Sequence, residues 1–253
     1  MAVIRLVFVI LHQKWYHMIR QRFQMRETIA TILADEERHA VAAREGMILA
    51  RQELEHFISG DPFFLTTFEP YRTDSGISVV DRMSGASVAA GVGPMAAVAG
   101  AIAWAGVDAM VEAGAPFGVV DNGGDIAYLS DREISIGIHA GTSFLSDRYA
   151  FVTGPTDGIT GICTSSATVG PSISLGVADA VTVFARNPAV ADSWATAVCN
   201  RVTRDRTSVV DEALRGGSEG VCVIIGDWHF RKGNLPRVVK ARVRHDIITG
   251  GLF

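Results

Sequence analysis

The run Gly93-Pro94-Met95-Ala96-Ala97-Val98-Ala99-Gly100-Ala101-Ile102-Ala103 constrains this chain more than any other stretch. Pro94 suits a first helical turn, where its missing N–H is not needed, and Gly114 suits a C-terminal stop. A helix over 93–114 built almost wholly of small and apolar residues has no polar face to give to water. It predicts burial on most sides. Its alanines and glycines also permit close backbone approach, either by a neighbouring element or by a ligand. Such a helix needs other layers around it, and 253 residues are enough to supply them within one domain.

The other elements follow from local chemistry. Thr28, Ile29, Thr31 and Ile32 predict a strand over 27–34. Asp35 then reads as the N-cap of an amphipathic helix reaching about Ile58, stopped by Gly60-Asp61-Pro62. The segment up to Gly91 reads as loop with a strand at 77–80. Further strands are expected at 117–120, 134–138, 181–185 and 221–225, with a helix over 190–200. Strands and helices alternate without a regular βαβ period, and neither G-x-G-x-x-G nor a P-loop occurs. The expected fold class is therefore α/β in the α+β sense, a mixed sheet with packed helices, rather than a doubly wound sheet. Residues 1–26 are read as an N-terminal extension or edge strand, and 27–253 as the single domain.

Charge and composition exclude several classes. A net charge of −4 gives no electrostatic reason to expect a nucleic-acid partner. Arg231, Lys232, Arg237, Lys240, Arg242 and Arg244 form a local basic stretch, read as a solvated strand or tail ahead of a phosphate patch. The apolar N-terminus is about a dozen residues long, short of the ~20 that a membrane helix needs, and lacks a basic leader. Three cysteines without metal-ligand spacing fit a reduced, cytoplasmic setting, with Cys163 read as buried filler ahead of a reactive thiol. No H-x-x-H or G-x-S-x-G pattern supports zinc or Ser/His/Asp chemistry. The apolar helix leaves a homo-oligomer open.

Four segments could carry chemistry. Gly91-Val92-Gly93-Pro94 at a helix mouth suits an anion or, equally, close packing against a sheet. Asn122-Gly123-Gly124-Asp125 requires a turn with positive φ. It is either a ligand-lining turn or a plain hairpin turn with Asp125 in solvent. The loop read over Thr164-Ser165-Ser166-Ala167-Thr168-Val169-Gly170-Pro171-Ser172 could cradle phosphate or ribose oxygens. Asp192 and Thr196, four residues apart, point along one helix face, a carboxylate and a hydroxyl suited to Mg²⁺. The plainer reading makes Asp192 a first-turn carboxylate and Thr196 core filler.

In this order the four segments resemble the ApbE-like superfamily of FAD:protein FMN transferases, whose members carry a glycine-led helix, Asn-Gly-Gly-Asp, a Thr-Ser-Gly loop and Ala-Asp-x-x-x-Thr. The similarity spans roughly residues 27–225 and is nearer to a separate branch than to the transferases themselves. It implies a single-domain ApbE-like fold and a flavin or nucleotide ligand such as FAD. It further implies Mg²⁺ held by Asp192, Thr196 and the backbone carbonyl of Ala96. Gly93, Asn122, Gly123, Gly124, Asp125, Thr164, Ser165 and Ser166 would then contact the cofactor. The implied reaction is FMN transfer or pyrophosphate cleavage. Two departures stand out: Ala99 replaces the family's lysine, and no His-x-x-Asp-Pro segment follows the serine loop. They support an alternative, a non-catalytic binder of a flavin or anionic metabolite.

Overall fold

Strands that are apolar on both faces need cover on both sides, and that requirement sets the layering here. The computed structural model describes residues 7–8, 18–140, 143–167 and 176–241. In chain order the elements are β1 (Val7–Phe8), β2 (Ile19–Met25), β3 (Thr28–Ala34), α1 (Glu37–Gly60), α2 (Pro62–Thr66) and α3 (Ser78–Ala90). A 3-10 turn (Pro94–Ala97) leads into α4 (Val98–Glu112), followed by β4 (Gly118–Asn122), β5 (Asp125–Leu129), β6 (Ile134–Gly137) and β7 (Tyr149–Thr153). The chain continues through β8 (Thr160–Ser165), β9 (Ala180–Ala185), α5 (Pro188–Arg201) and α6 (Ser208–Arg215). It ends in β10 (Gly220–Ile225), β11 (Trp228–Gly233) and β12 (Arg237–Lys240).

An eight-stranded sheet in the order β11-β10-β9-β8-β5-β4-β3-β2 forms the middle layer, and every pairing in it is antiparallel. A four-stranded sheet, β1-β6-β7-β12, covers one face. Helices cover the other. The period of two is visible residue by residue. Leu33, Val119, Ile126, Ile162, Phe184 and Ile224 point into the core between the sheets. Their neighbours Ile32, Val120 and Ala127 point to α1, α3 and α4, and Cys163, Val183 and Val223 point to α5 and α6. At one edge β2 is only half-buried and carries Arg20 and Arg22, a charged edge that discourages further pairing.

The apolar helix α4 lies inside this single domain as expected, packed against α1, α5, β4 and β5. Among the described residues, only the Pro94–Glu112 stretch is long and apolar enough to cross a membrane, and half of it is buried in the fold. It is a core helix. The reading of the first dozen residues lies mostly outside the described residues, as do Arg242 and Arg244.

Two local expectations are corrected. The strand expected at 77–80 is the start of α3: Val79, Val80, Met83 and Ala86 are buried at helical spacing, and that periodicity outweighs the β-branched pair. The hydroxyls of Ser84 and Ser87 on the same helix accept hydrogen bonds from the Thr73 and Tyr71 amides at 2.8 and 3.1 Å. They fasten the extended segment after α2 to the helix. Asp35 does not cap α1. The cap position falls to Glu36, whose side chain makes no cap bond, while Asp35 forms a two-pronged ion pair with Arg132 on the far side of β3.

Candidate functional site

The helix-mouth segment Gly91–Gly93, the end of β8 and the C-terminal half of α5 meet at one cavity of about 460 Å³. Gly93 and Ala96 line it from the 3-10 turn, Ser165 from the end of β8, and Thr196 from α5. Thr164 and Ser165 belong to β8 rather than to a loop; Ser166 and Ala167 follow it, and residues 168–172 lie outside the described residues. The fourth wall was not anticipated. Leu65, Thr66, Thr67 and Phe68 come from the end of α2 and the residues after it. The two segments touch because Gly93 has no side chain: a Cβ there would lie 2.9 Å from the Phe68 Cα and closer still to the Thr67 carbonyl oxygen.

Asp192 lies one turn from Thr196, but its carboxylate has a specific partner inside the protein. Its Oδ2 accepts the Gly100 amide at 2.8 Å, and the Ala99 amide adds to the hold. Those amides are in the first turn of α4, whose own cap residue, Ala97, offers no side-chain acceptor. Asp192 therefore supplies from α5 the negative charge that the N-terminus of α4 attracts. Close packing holds as well: a Cβ on Gly100 would sit 2.6 Å from the Pro188 carbonyl oxygen and 2.9 Å from the Asp192 Cβ.

Asn122, Gly123, Gly124 and Asp125 form the β4–β5 hairpin turn, with Asn122 paired to Asp125 and φ of 70° and 108° at the two glycines. None of the four lines the cavity. They act next to it. Asn122 Nδ2 donates to the Ala99 carbonyl at 3.1 Å, fixing the same turn of α4 that Asp192 caps from the other side. Asp121 Oδ1 accepts the Gly124 amide at 2.9 Å and closes the turn. Asp125 does not point to solvent: its Oδ1 accepts the Thr164 amide at 3.3 Å, behind the serine wall.

Asp125 and Asp192 both act electrostatically on Cys163; Asp192 is buried and Asp125 half-buried. Burial, then the nearby Asp121, pushes Asp125 from 3.8 to about 7, opposed by the Thr164 amide. Asp192 is also pushed well up, by burial first and by Asp125 second, against the helix amides. The Cys163 thiol is raised by burial and by both carboxylates, and it donates to the Pro188 carbonyl at 3.5 Å. That is filler with a weak donor, not a nucleophile. Cys199 and Cys222 are likewise buried and unpaired with other cysteines.

Two further residues of the cavity come from α5. Asn200 continues the face of Asp192 and Thr196 at the same spacing of four, a signal the sequence contained. Arg201 ends the helix and, among the described residues, is the only charged one of the lining. Among the described residues no group of three or more His, Cys, Asp or Glu side chains could hold a metal ion. Any cation here would have to rely on hydroxyl, backbone and ligand oxygens as well as on carboxylate.

A central antiparallel sheet flanked by helices on one face and a second sheet on the other matches the fold of solved flavin transferases. The flavin transferase ApbE of Vibrio cholerae superposes over 86% of this chain and 97% of that one, with a TM-score of 0.58 and 12% identity. The apo flavinyl transferase ApbE of Pseudomonas stutzeri covers 95% and 100%, with a TM-score of 0.54 and 12% identity. The fold is ApbE-like. The family model described as "AbpE bacteria" matches residues 12–215, and the chain belongs to that family. It is also similar to UPF0280 proteins of methanogens. One from Methanoculleus marisnigri is 58% identical over 92% of this chain and 96% of its own length. Another, from Methanosphaerula palustris, is 55% identical over 92% and 99%.

Proposed function

We propose that this chain binds a flavin nucleotide, FAD in the first instance, in the cavity between the Gly93–Ala96 turn and α5. With Mg²⁺ it would act there on a phosphate linkage. The observation that carries this reading is the convergence of Gly93, Ala96, Ser165 and Thr196, three separate segments, on one cavity of about 460 Å³. That volume is within the ~300–1,000 Å³ usual for ligand sites. The printed titles of the structural neighbours, flavin transferases, supply the ligand class.

The residues present fit Mg²⁺. Thr196 and Ala96 face the same cavity, and Asp192 sits one turn away with Oδ2 held by α4. Carboxylate, hydroxyl and carbonyl are the donors a hard ion takes, with water and ligand phosphate completing the shell. Asp192, buried and raised further by Asp125, would also gain from a cation. Bound there, Mg²⁺ would offset charge developing on the bridging phosphate. The Ser165 and Thr196 hydroxyls would donate to phosphate oxygens.

One observation favours binding without turnover as a second reading. Among the described residues the cavity lining contains no His, Asp, Glu, Cys or Lys, so no described side chain on it suits proton transfer near neutral pH. Calorimetric titration of FAD with and without Mg²⁺, followed by analysis for FMN and AMP, separates the two. Thr196→Val is the better metal variant, because Asp192 also caps α4. Metal-dependent binding lost in Thr196→Val, with product formed by the unsubstituted protein, supports the enzyme. Binding without product supports the second reading. No FAD binding under either condition rules out both.

A further inference from the structure

We propose that the cavity holds its ligand at two ends. An anionic group is held by Arg201 at the end of α5, and a flat aromatic ring is covered by Phe68 on the wall that follows α2. This rests on the flavin-nucleotide reading and specifies how that ligand lies.

Among the described residues Arg201 is the one charged side chain of the lining, and the other described lining residues are neutral hydroxyl, amide and apolar groups. A lone guanidinium in such a wall is where an anion is best placed. Arg201 has an internal partner. Its Nη2 donates to both carboxylate oxygens of Glu212 on α6, at 2.8 and 2.6 Å. Both bonds use that single nitrogen, so the rest of the guanidinium fork remains for a ligand. The pair is more than a third exposed on each side, and an ion pair that wet is worth about 1 kcal/mol or less. Glu212 therefore orients Arg201 and competes mildly with the ligand for it.

The wall from the end of α2 brings two large apolar side chains to the cavity. Phe68 is 78% exposed, the highest value among the large hydrophobic residues of the described chain, with Leu65 beside it at 48%. Both line the cavity. An aromatic ring left in water at a cavity mouth gains by stacking on a flat ligand. The backbone behind it is fixed, because the Thr67–Phe68 segment closes on Gly93 and the Thr67 hydroxyl accepts the Glu69 amide at 3.1 Å. Phe68 is thus an exposed ring on a held backbone.

Titrations of FMN and of riboflavin, followed by flavin fluorescence with Mg²⁺ present, test both ends, since the two ligands share the ring and differ in the phosphate. Arg201→Met is expected to weaken FMN about tenfold or more and leave riboflavin within about twofold. Glu212→Gln is expected to tighten FMN several-fold, on the order of threefold, a gain that a damaged fold cannot produce. Phe68→Ala is expected to weaken both ligands about three- to tenfold and to restore fluorescence in the bound state. If the unsubstituted protein binds FMN but the three variants match it, this inference is overturned and the flavin reading stands. Equal losses of FMN and riboflavin in Arg201→Met also overturn it. If neither ligand binds the unsubstituted protein, both the inference and the flavin reading fall.

Discussion

Asp192 and Gly100, on different helices and 92 residues apart in sequence, are joined by a 2.8 Å hydrogen bond from the Gly100 amide to the aspartate Oδ2. The contact is possible only because residue 100 has no side chain, since a Cβ would meet both Pro188 and Asp192. One residue is therefore needed twice, as a donor and as a gap. The same bond ties the candidate metal ligand to the core helix, so site and stability are coupled through Asp192.

Asp192→Ala should lower stability by about 1–3 kcal/mol, because it strands buried amides at the start of α4. Asp192→Asn keeps an oxygen acceptor and removes the charge, and should lose less. Urea denaturation of the metal-free proteins measures both. Equal stability of Asp192→Ala and the unsubstituted chain would contradict the cap.

Gly100→Ala puts a methyl group 2.6 Å from a backbone oxygen that cannot swing away. Forcing α4 and α5 apart should cost about 1–3 kcal/mol. It should also weaken ligand binding, since Thr196 on α5 and Ala96 beside α4 share the cavity. Gly158→Ala is the control, with nothing within 4 Å of its added methyl. A Gly100→Ala protein as stable as that control would refute the close contact.

These relationships explain which parts of the molecule could be read in advance. The helix over 93–114, the turn at Asn122-Gly123-Gly124-Asp125 and the Asp192/Thr196 face were legible because proline, glycine and helical spacing act locally. The strand Tyr149–Thr153 and the start of α3 were not. Val79-Val80 looks like strand over two residues and like helix only when Met83 and Ala86 are counted with it. The cavity was half legible. Gly93, Ser165 and Thr196 stood in recognisable segments, whereas Phe68 and Arg201 became neighbours of the same space only through tertiary packing. Asp125 read as solvent-facing in its plain hairpin form, because nothing local reveals that β8 will lie across it.

Cys163 should be slow toward thiol reagents in the folded protein. It is buried, its pKa is raised, and only a thiolate reacts quickly. Ellman's reagent should count no fast thiol in native buffer and three after unfolding, since Cys199 and Cys222 are buried too. A fast native reaction lost specifically in Cys163→Ala would show that the thiol is open to solvent.

The two carboxylates predict how stability changes with pH. The Asp125 pKa stands at about 7 in the fold against an ordinary 3.8. Between about pH 4 and pH 7 the folded state therefore binds more protons than the unfolded one, and stability falls as pH rises across that window. Asp192 is shifted in the same direction and adds to the trend. In metal-free buffer the melting temperature should rise as pH drops from 8 to 5, with a slope from Asp125 of up to about 1.4 kcal/mol per pH unit. Asp125→Asn should flatten the curve by removing both its own titration and the repulsion it exerts on Asp192. Added Mg²⁺ should stabilise the unsubstituted protein more at pH 8 than at pH 5, because a cation favours the ionised pair. The informative quantity is the difference between the two proteins across the pH series, which cancels the titration of every other group. A difference that does not change with pH would mean that Asp125 is ionised in the fold at neutral pH and already compensated there.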